Sequence, residues 1–270
     1  MEDAMSQERC QSDELDPARA QALAKTLGLE RELTAGASLP PFFHQIYFWD
    51  AKAKTELGRD GHPRVGGLIP DMGLPRRMWA GGRLEFTRPL SLGQPAEKRS
   101  ICTRSERKTG RSGPLALITL RHSYWQNGVD CVTEWQDLVY REEAQPGGAG
   151  PTPPRARDDA QSARTVSFST TQLFRYSALT FNGHRIHYDR DYAATVEGYS
   201  GLVVHGPLLA QYLMLLAEQD LGPLSAFSFR ATSALMDFEQ ATLCRQDRTR
   251  WVRGPDGRQC MIAEATPVSE

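Results

Sequence analysis

The stretch Gly201-Leu-Val-Val-His-Gly-Pro207, followed by the apolar run Leu208 to Ala217, decides the fold of this chain. Pro207 suits the first turn of a helix, where its missing N–H needs no acceptor, and Gly222-Pro223 is a stop signal. Because the helix predicted between these signals is apolar on nearly all sides, the rest of the chain must enclose it. The run is about half as long as a membrane span, so it predicts a buried core helix.

Alternating segments on both sides of this helix predict the strands that enclose it. Apolar side chains alternate with polar ones over residues 227–232, and Pro255-Asp256-Gly257 predicts the turn of a later hairpin. Upstream, residues 115–120 are apolar on both faces, which is typical of a central strand, and Asn127-Gly128 predicts a two-residue hairpin turn. One buried helix with a run of antiparallel strands predicts an α+β fold in which the sheet wraps around the helix.

Proline and glycine divide the chain into two parts. Four prolines and three glycines lie within residues 146–154, and the stretch that follows, up to Arg164, is polar. Since proline lacks a backbone donor and glycine weakens regular structure, residues 146–164 are predicted to be a linker. The expected modules are residues 1–145 and 165–270. In the first of them, Asp16-Pro17 predicts the start of a helix.

Composition narrows the class of protein. The 270 residues carry a formal net charge of −1, and 40% hydrophobic with 24% charged residues is ordinary for a globular chain. No overall field attracts such a chain to nucleic acid or to a membrane, and neither is an expected partner. The five cysteines form no C-x-x-C pair, and the first residues are acidic without an apolar stretch. These features predict reduced thiols, a cytoplasmic location and no cysteine-based zinc site.

Three of the six histidines lie between residues 184 and 205. The run Asn182-Gly-His184-Arg-Ile-His187-Tyr-Asp189, called the histidine-rich run below, predicts an acid–base site, because histidine changes charge near neutral pH. Two other interpretations stay open, namely a polar loop of capping residues and a zinc site that uses His184 and His187. The polar turn at Gly183 argues against a shared helical face and no cysteine is nearby, so we expect no metal here.

The start of the apolar helix is a second candidate for function. A glycine at a buried helix start, here Gly206, lets a ligand approach the backbone. The free amides and the dipole of a helix N-terminus suit an oxyanion or a polarised carbonyl. An ordinary glycine N-cap is the alternative. A histidine-rich loop and a glycine helix start in one small module are more informative together than either is alone.

These motifs resemble the MaoC-like hot dog family of hydratases and dehydratases, which act on acyl thioesters. Its R-specific enoyl-CoA hydratases carry Asp-x-Asn-Pro-x-His in a segment that overhangs the active site, and a His-Gly motif opens their central helix. Here His187 falls on the family's histidine, and Val204-His205-Gly206 falls on the helix opening. Asn182 replaces the catalytic aspartate, His184 the asparagine and Arg185 the proline, so the family's Asp–His dyad is absent.

A longer pattern resembles one branch of the family. That branch includes itaconyl-CoA and mesaconyl-C4-CoA hydratases and is related to mitochondrial 3-hydroxyacyl-thioester dehydratases. The likeness runs from Leu173 to Asp189, continues from Glu197 to Pro207 and includes Leu74 to Phe86 in the first module. It covers most of residues 40–266. The resemblance implies a double hot dog fold, in which the linker joins two hot dog modules.

The resemblance also implies roles for individual residues. His187 is expected to be the base that activates water, and Asn182 to position that water through its amide. His184 is expected either to orient His187 or to act as the second acid–base group. The Gly206 backbone N–H is expected to polarise the thioester carbonyl, with a purely structural role as the alternative.

Other residues are candidates for binding the substrate. A C5 dicarboxylyl-CoA has a free carboxylate that needs a cation, and a bidentate arginine suits it. Arg185 is the first candidate because it lies within the histidine-rich run, and Arg76 and Arg77 are its rivals. Tyr176 and His205 are further candidate contacts, although a tyrosine on an amphipathic helix is equally expected in the core.

The expected function is a hydro-lyase acting on a short enoyl-CoA, either itaconyl-CoA or mesaconyl-C4-CoA, with no cofactor beyond the CoA of the substrate. Three alternatives stay open: a general 3-hydroxyacyl-thioester dehydratase, a thioesterase, and a non-catalytic acyl-thioester binding module, which the missing aspartate motivates. His187 and His184 favour catalysis over binding alone. A homodimer or a higher homo-oligomer is expected.

Overall fold

The computed structural model describes residues 8–110, 113–143 and 152–269. Within these ranges the strands are β1 (Arg9–Asp13), β2 (Arg76–Phe86), β3 (Ala96–Gly110), β4 (Gly113–Gln126), β5 (Val129–Arg141), β6 (Ser162–Val166), β7 (Leu224–Ala231), β8 (Ala241–Gln246), β9 (Thr249–Arg253) and β10 (Gln259–Pro267). The α-helices are α1 (Pro17–Thr26), α2 (Thr170–Leu179), α3 (Arg190–Thr195) and α4 (Gly206–Leu221). Short 3-10 helices occur at Phe43–Ile46, Lys54–Glu56 and Arg185–His187.

In the described part of the chain, ten strands form one antiparallel sheet in the order β1-β3-β4-β5-β2-β7-β10-β9-β8-β6. The strands of each half therefore lie side by side, and the pairing of β2 with β7 joins the halves. Gly81 lies at this seam, where a Cβ would come within 2.5 Å of the Phe229 carbonyl oxygen. Glycine is needed at this position because any side chain would push the two backbones apart.

The buried helix lies where the sequence predicts it. Strands β7, β9 and β10 pack against α4, and its residues Leu208, Leu213 and Met214 are fully buried. Gln211 Nε2 donates to the Pro41 carbonyl oxygen at 3.0 Å, so the N-terminal half also packs on this helix. One apolar core runs through both halves, which agrees with the predicted α+β fold. None of the helices in the described ranges is long and apolar enough to cross a membrane.

A helix start and a turn that the sequence predicts are confirmed, and a second helix start has the same type of side-chain cap. The Asp16 and Ser169 side chains each accept a bond from a backbone N–H at the start of α1 and α2. Asn127 (φ 52°) and Gly128 (φ 77°) both adopt the left-handed conformation between β4 and β5. A type I′ hairpin turn requires this conformation at both central positions, which is why Asn-Gly is favoured there.

The predicted linker, residues 146–164, lies partly outside the described residues. Its described end differs from the prediction, because β6 already begins at Ser162 and pairs with β8, Ser162 lying opposite Arg245. The polar composition predicted a loose segment. An edge strand with both faces exposed needs no apolar alternation when backbone hydrogen bonds to its neighbour hold it. The module boundaries at residues 145 and 165 stay predictions.

Candidate active site

A cavity of about 990 Å³ is lined by residues from both halves of the chain. Its volume is at the upper end of the range for small-molecule sites. Its polar lining residues include Gln45, His62, Arg77, Lys98, Ser177, Asn182 and Tyr188. Several of these lie in or beside the histidine-rich run, so the cavity is the candidate active site.

The histidine-rich run borders this cavity and is held in place by local hydrogen bonds. The Asn182 side-chain oxygen accepts from the His184 backbone N–H at 3.0 Å, and the Tyr188 hydroxyl donates to the Gly183 carbonyl at 2.8 Å. Asn182, Gly183 and Tyr188 line the cavity. His184 and His187, in the same run, are buried.

His187 is fixed in one tautomer. Its Nδ1 donates to the Val203 carbonyl oxygen at 2.7 Å, which leaves Nε2 as the free acceptor of the neutral ring. Its ring stacks on the His205 ring with 3.6 Å between centroids. Burial lowers the pKa of His187 to about 4, although the bond to Val203 opposes the shift. The ring is therefore neutral at physiological pH, as a base must be.

His205 and Tyr176 form the inner end of the site. His205 Nε2 is hydrogen-bonded to Ser177 Oγ at 2.8 Å, and its ring lies 4.9 Å from the Tyr176 ring. Burial lowers the pKa of His205 well below its ordinary value and raises the pKa of the Tyr176 phenol. His205 Nδ1 and the Tyr176 hydroxyl are buried and have no hydrogen-bond partner among the described residues. Tyr176 lines the cavity, so a ligand can reach it.

Sequence reasoning missed two residues of the N-terminal half that lie beside His184. The His62 ring centroid is 4.6 Å from that of His184, which in turn is 5.4 Å from that of His187. The polar atoms of Asp60, His62 and His184 all lie within 4.8 Å of one another. The turn Asp60-Gly-His62-Pro63 has the same residue types as the histidine-rich run, and this was the signal that could have found it.

Four imidazoles thus follow one another from the cavity inward, and we call them the histidine row: His62, His184, His187 and His205. Burial lowers the pKa of His184 to about 3, and the neighbouring His187 and Arg77 add to the effect. Burial raises the pKa of the Asp60 carboxyl. Carboxylate and imidazole are also ligands of divalent cations such as Zn²⁺. The expectation that the site uses no metal stays a prediction.

The start of α4 offers a free backbone donor. His205 is the N-cap and Gly206 is the first helical residue. The Gly206 N–H has no hydrogen-bond acceptor within the described ranges, as expected in the first turn of a helix. A Cβ here would approach the Trp79 carbonyl oxygen only to 3.8 Å, so packing does not demand glycine. Pro207 lines the cavity, which brings this amide close to the wall.

Arg185 does not line the cavity, which corrects its rank as the first candidate for the substrate carboxylate. Its guanidinium donates to Asp189 Oδ2 at 2.7 and 3.0 Å and to the Arg59 carbonyl oxygen at 3.2 Å. It also lies over the Tyr192 ring, 4.2 Å from the centroid. A guanidinium with these partners stabilises the histidine-rich run, and the sequence did not reveal that Asp189 would pair with it.

Arg76 and Arg77 are neighbours in β2, so their side chains point to opposite faces of the sheet. Arg76 is ion-paired with the Glu197 carboxylate at 2.8 Å. Arg77 lines the cavity and has no ion-pair partner in the part of the chain that the structure describes. Burial lowers the pKa of His62, and the charge of Arg77 lowers it further. Arg77 is therefore a cation beside the histidine row.

A second buried polar group lies on the N-terminal side of the cavity, and we call it the Glu134 cluster. The Glu134 carboxylate accepts from His44 Nε2 at 3.1 Å, from Gln45 Nε2 at 2.9 Å and from the Tyr124 hydroxyl at 2.8 Å. Burial alone would raise the pKa of Glu134, but the bond from His44 and the charge of Lys98 help to hold it at about 2. Its members are far apart in sequence, so no local motif announces the cluster.

Comparison with known proteins agrees with this geometry. The pattern of the hydroxyacyl-thioester dehydratase type 2 family matches residues 42–237. The chain is 43% identical over 266 residues to the mesaconyl-C(4)-CoA hydratase of Chloroflexus aurantiacus, an alignment that covers 94% of each chain.

Solved structures extend the comparison to the fold. A MaoC-like dehydratase from Phytophthora capsici superposes with a TM-score of 0.72 at 12% identity and covers 100% of both chains. A protein of Mycobacterium tuberculosis with a double hot dog fold superposes with a TM-score of 0.60 at 12% identity, covering 97% of this chain and 96% of that one. The predicted double hot dog is thereby confirmed. The match over residues 42–237 and the identity of 43% show that the chain belongs to the hydroxyacyl-thioester dehydratase type 2 family, a family of hydro-lyases.

Proposed function

We propose that this protein hydrates the double bond of mesaconyl-C4-CoA and so forms citramalyl-CoA. The observation that carries the proposal is Arg77, a cation without an ion-pair partner among the described residues, in the cavity wall beside the histidine row. The identity of 43% to a hydratase of that name supports the same substrate. Itaconyl-CoA, the other C5 candidate, is the second choice.

The chemistry of this substrate requires a cation close to the acid–base groups. Water adds to the β-carbon of an enoyl thioester, and in mesaconyl-C4-CoA that same carbon carries the free carboxylate. An unpaired carboxylate in a buried site is costly, and a planar guanidinium can bind it through two hydrogen bonds. Arg77 meets this demand, whereas Arg185 and Arg76 are already ion-paired.

Neutral imidazoles are the proposed acid–base groups. His187 is the proposed base, because its bond to Val203 leaves the Nε2 lone pair free to take a proton from water. Asn182 cannot ionise, but it lines the cavity and its amide nitrogen is able to position that water. His184 lies next to His187 and is the proposed second acid–base group.

Two donors are available for the thioester carbonyl. The Gly206 N–H at the positive end of the α4 dipole is suited to an oxygen that gains negative charge in the transition state. The Tyr176 hydroxyl is buried without a protein partner among the described residues and borders the cavity. A ligand oxygen would satisfy both groups, and this supports a carbonyl-polarising role for them.

A general 3-hydroxyacyl-thioester dehydratase is the alternative function, and the description of the matching family favours it. The two functions differ in their need for Arg77, because a simple enoyl thioester such as crotonyl-CoA has no distal carboxylate. A preference for crotonyl-CoA would therefore support the alternative.

The test is the loss of ultraviolet absorbance of the conjugated thioester on mixing with mesaconyl-C4-CoA or crotonyl-CoA. The double bond of itaconyl-CoA is not conjugated with its thioester, so its hydration is followed by chromatography of the CoA esters. We expect hydration of mesaconyl-C4-CoA with the highest kcat/KM, and no release of free thiol in a parallel assay. A higher kcat/KM with crotonyl-CoA would contradict the dicarboxylate proposal. Thiol release without loss of the double bond would indicate a thioesterase.

We further propose that the protein acts in the cytoplasm as a homodimer or larger homo-oligomer, and that it needs no cofactor beyond the CoA of its substrate. Four buried thiols, which suit a reducing compartment, support the location. Light scattering on the purified protein measures the assembly, and a monomer at working concentration would contradict it.

A further inference from the structure

The carboxylates nearest to the histidine-rich run in sequence are ion-paired or, at Asp191, exposed to solvent. Asn182, at its start, cannot ionise. Asp189 is ion-paired with Arg185 and also caps α3. Glu197, further along the chain, is ion-paired with Arg76. A carboxylate partner orients a catalytic imidazole and stabilises the imidazolium that forms during turnover, so the site needs one from elsewhere.

The N-terminal half supplies such a carboxylate in the loop that runs from Leu57 to Pro63. These two residues pair in a β-bridge, and the Gly58 N–H donates to the His62 carbonyl oxygen at 2.7 Å. Asp60 Oδ1 accepts from the His62 backbone N–H at 3.1 Å. The loop is thus closed by its own hydrogen bonds and holds Asp60 and His62 side by side.

Two glycines let this loop reach the histidine-rich run. A Cβ on Gly61 would lie 2.0 Å from the Gly183 carbonyl oxygen, and a Cβ on Gly183 would lie 2.6 Å from the Gly61 carbonyl oxygen. Arg185 completes the contact, because its backbone N–H donates to the Asp60 carbonyl at 2.9 Å and its guanidinium donates to the Arg59 carbonyl. Only glycine at both contact positions allows this approach.

His62 lines the cavity, and the buried rings of His184 and His187 follow next to it. The charged and titratable groups around His62 are the Asp60 carboxyl, the Arg77 guanidinium and the rings of His184 and His187. A substrate carboxylate bound by Arg77 would therefore bring the reacting double bond next to His62.

We propose that His62 is a catalytic acid–base residue of this enzyme, and that Asp60 is the positioning carboxylate that stabilises its imidazolium form. The proposal rests on the proposed function and assigns a residue pair from the N-terminal half to the same reaction.

In the proposed hydration, the proton taken from water is the same proton that is delivered to the α-carbon. The water oxygen bonds to the β-carbon while His187 Nε2 takes a proton from that water. The π electrons move onto the α-carbon and the thioester carbonyl, forming an enolate that the Gly206 N–H stabilises. The proton passes from His187 through His184 to His62, and His62 transfers it to the α-carbon. Water has then been added in full, and each imidazole is neutral again.

The first test uses the full-length variants His62→Gln and His62→Ala with mesaconyl-C4-CoA and crotonyl-CoA. We expect kcat to fall at least about 10²-fold on both substrates, since the α-carbon that receives the proton is common to both. The melting temperature should stay close to that of the wild type, because the ring borders a cavity. A folded variant with near-normal kcat would overturn the role of His62.

The second test uses Asp60→Asn, with Asp71→Asn as the matched control in the exposed part of the same connection. We expect Asp60→Asn to lower kcat by about tenfold or more with little change in KM, and Asp60→Glu to restore part of the loss. A variant that behaves like Asp71→Asn would overturn the role of Asp60.

Other outcomes separate this proposal from the proposed function. A wild-type enzyme that hydrates neither substrate contradicts both. An active wild type with a near-normal His62→Gln variant contradicts only the present proposal. Loss of wild-type activity in EDTA, with recovery on adding Zn²⁺, would show that Asp60, His62 and His184 bind a metal. That result would also overturn the proton-transfer role, because a coordinated imidazole nitrogen has no free lone pair.

Discussion

Two buried polar regions border the same cavity, and they differ in whether their hydrogen bonds are complete. In the Glu134 cluster, three side-chain donors surround one carboxylate. In the histidine row, His205 Nδ1 has no partner in the described residues, and neither has the neighbouring Tyr176 hydroxyl. Arg77 beside the row likewise forms no ion pair with the described residues.

This difference indicates a structural role for the Glu134 cluster and a catalytic role for the histidine row. A buried polar group without a partner costs free energy, and beside a cavity a ligand or a reaction step can supply the missing partner. The Glu134 cluster is closed and should therefore contribute mainly to stability. The histidine row is open toward the cavity and should contribute mainly to turnover.

The largest expected effect is a loss of stability when the acceptor of the Glu134 cluster is removed. Glu134→Ala leaves the donors of His44, Gln45 and Tyr124 without their acceptor, and losing a buried charge partner costs about 3–5 kcal/mol of unfolding free energy. Urea denaturation measures the loss. Glu32→Ala, at an exposed position, is the control and should be close to neutral. Equal values for the two variants would contradict the structural role of the cluster.

The next effect is on substrate selectivity in the open region. Arg77→Met removes the proposed partner of the substrate carboxylate, so kcat/KM for mesaconyl-C4-CoA should fall more than about tenfold relative to crotonyl-CoA. Arg185→Met is the matched control and should affect both substrates equally, because Arg185 supports the histidine-rich run. A selective loss in Arg185→Met and none in Arg77→Met would restore Arg185 as the substrate ligand.

The remaining effect is the pH dependence of stability, in which the histidine row and the Glu134 cluster should lose their contributions at different pH values. Burial lowers the folded-state pKa of His187 to about 4 from an ordinary 6.5, so its contribution is present above pH 6.5 and is lost as the pH falls toward 4. The Glu134 contribution is lost later, as the pH falls from 4.5 toward about 2. His187→Gln should flatten the first decline in a titration of unfolding free energy. An unchanged curve would contradict burial of a neutral imidazole.

Local signals made much of the C-terminal half predictable. The apolar run of α4, its proline start and its glycine stop are contiguous in sequence, so they predicted the central helix without tertiary information. The same holds for the Asn127-Gly128 turn, where a backbone conformation selects the residue type. His184 and His187 were found because they share one short loop.

The parts that sequence reasoning missed depend on contacts between distant segments. His62 reaches the histidine row only because Gly61 and Gly183 pack against each other, and nothing local to either glycine reveals its partner. Arg185 was ranked above Arg77 because it stands in the motif. In the fold, Arg185 is ion-paired with Asp189, whereas the face of β2 that carries Arg77 lines the cavity. These contacts make Arg77 the better candidate.

We assign the Glu134 cluster to stability and the histidine row to turnover. The most direct test of this assignment is the turnover number for hydration of mesaconyl-C4-CoA, measured on two variants that each remove one buried histidine. His187→Ala takes a ring from the histidine row, and His44→Ala takes one from the Glu134 cluster. We expect the folded His187→Ala variant to lose at least about 10²-fold in kcat, and the folded fraction of His44→Ala to turn over at close to the wild-type rate. A near-normal kcat for His187→Ala, with a collapse for His44→Ala, would contradict the account.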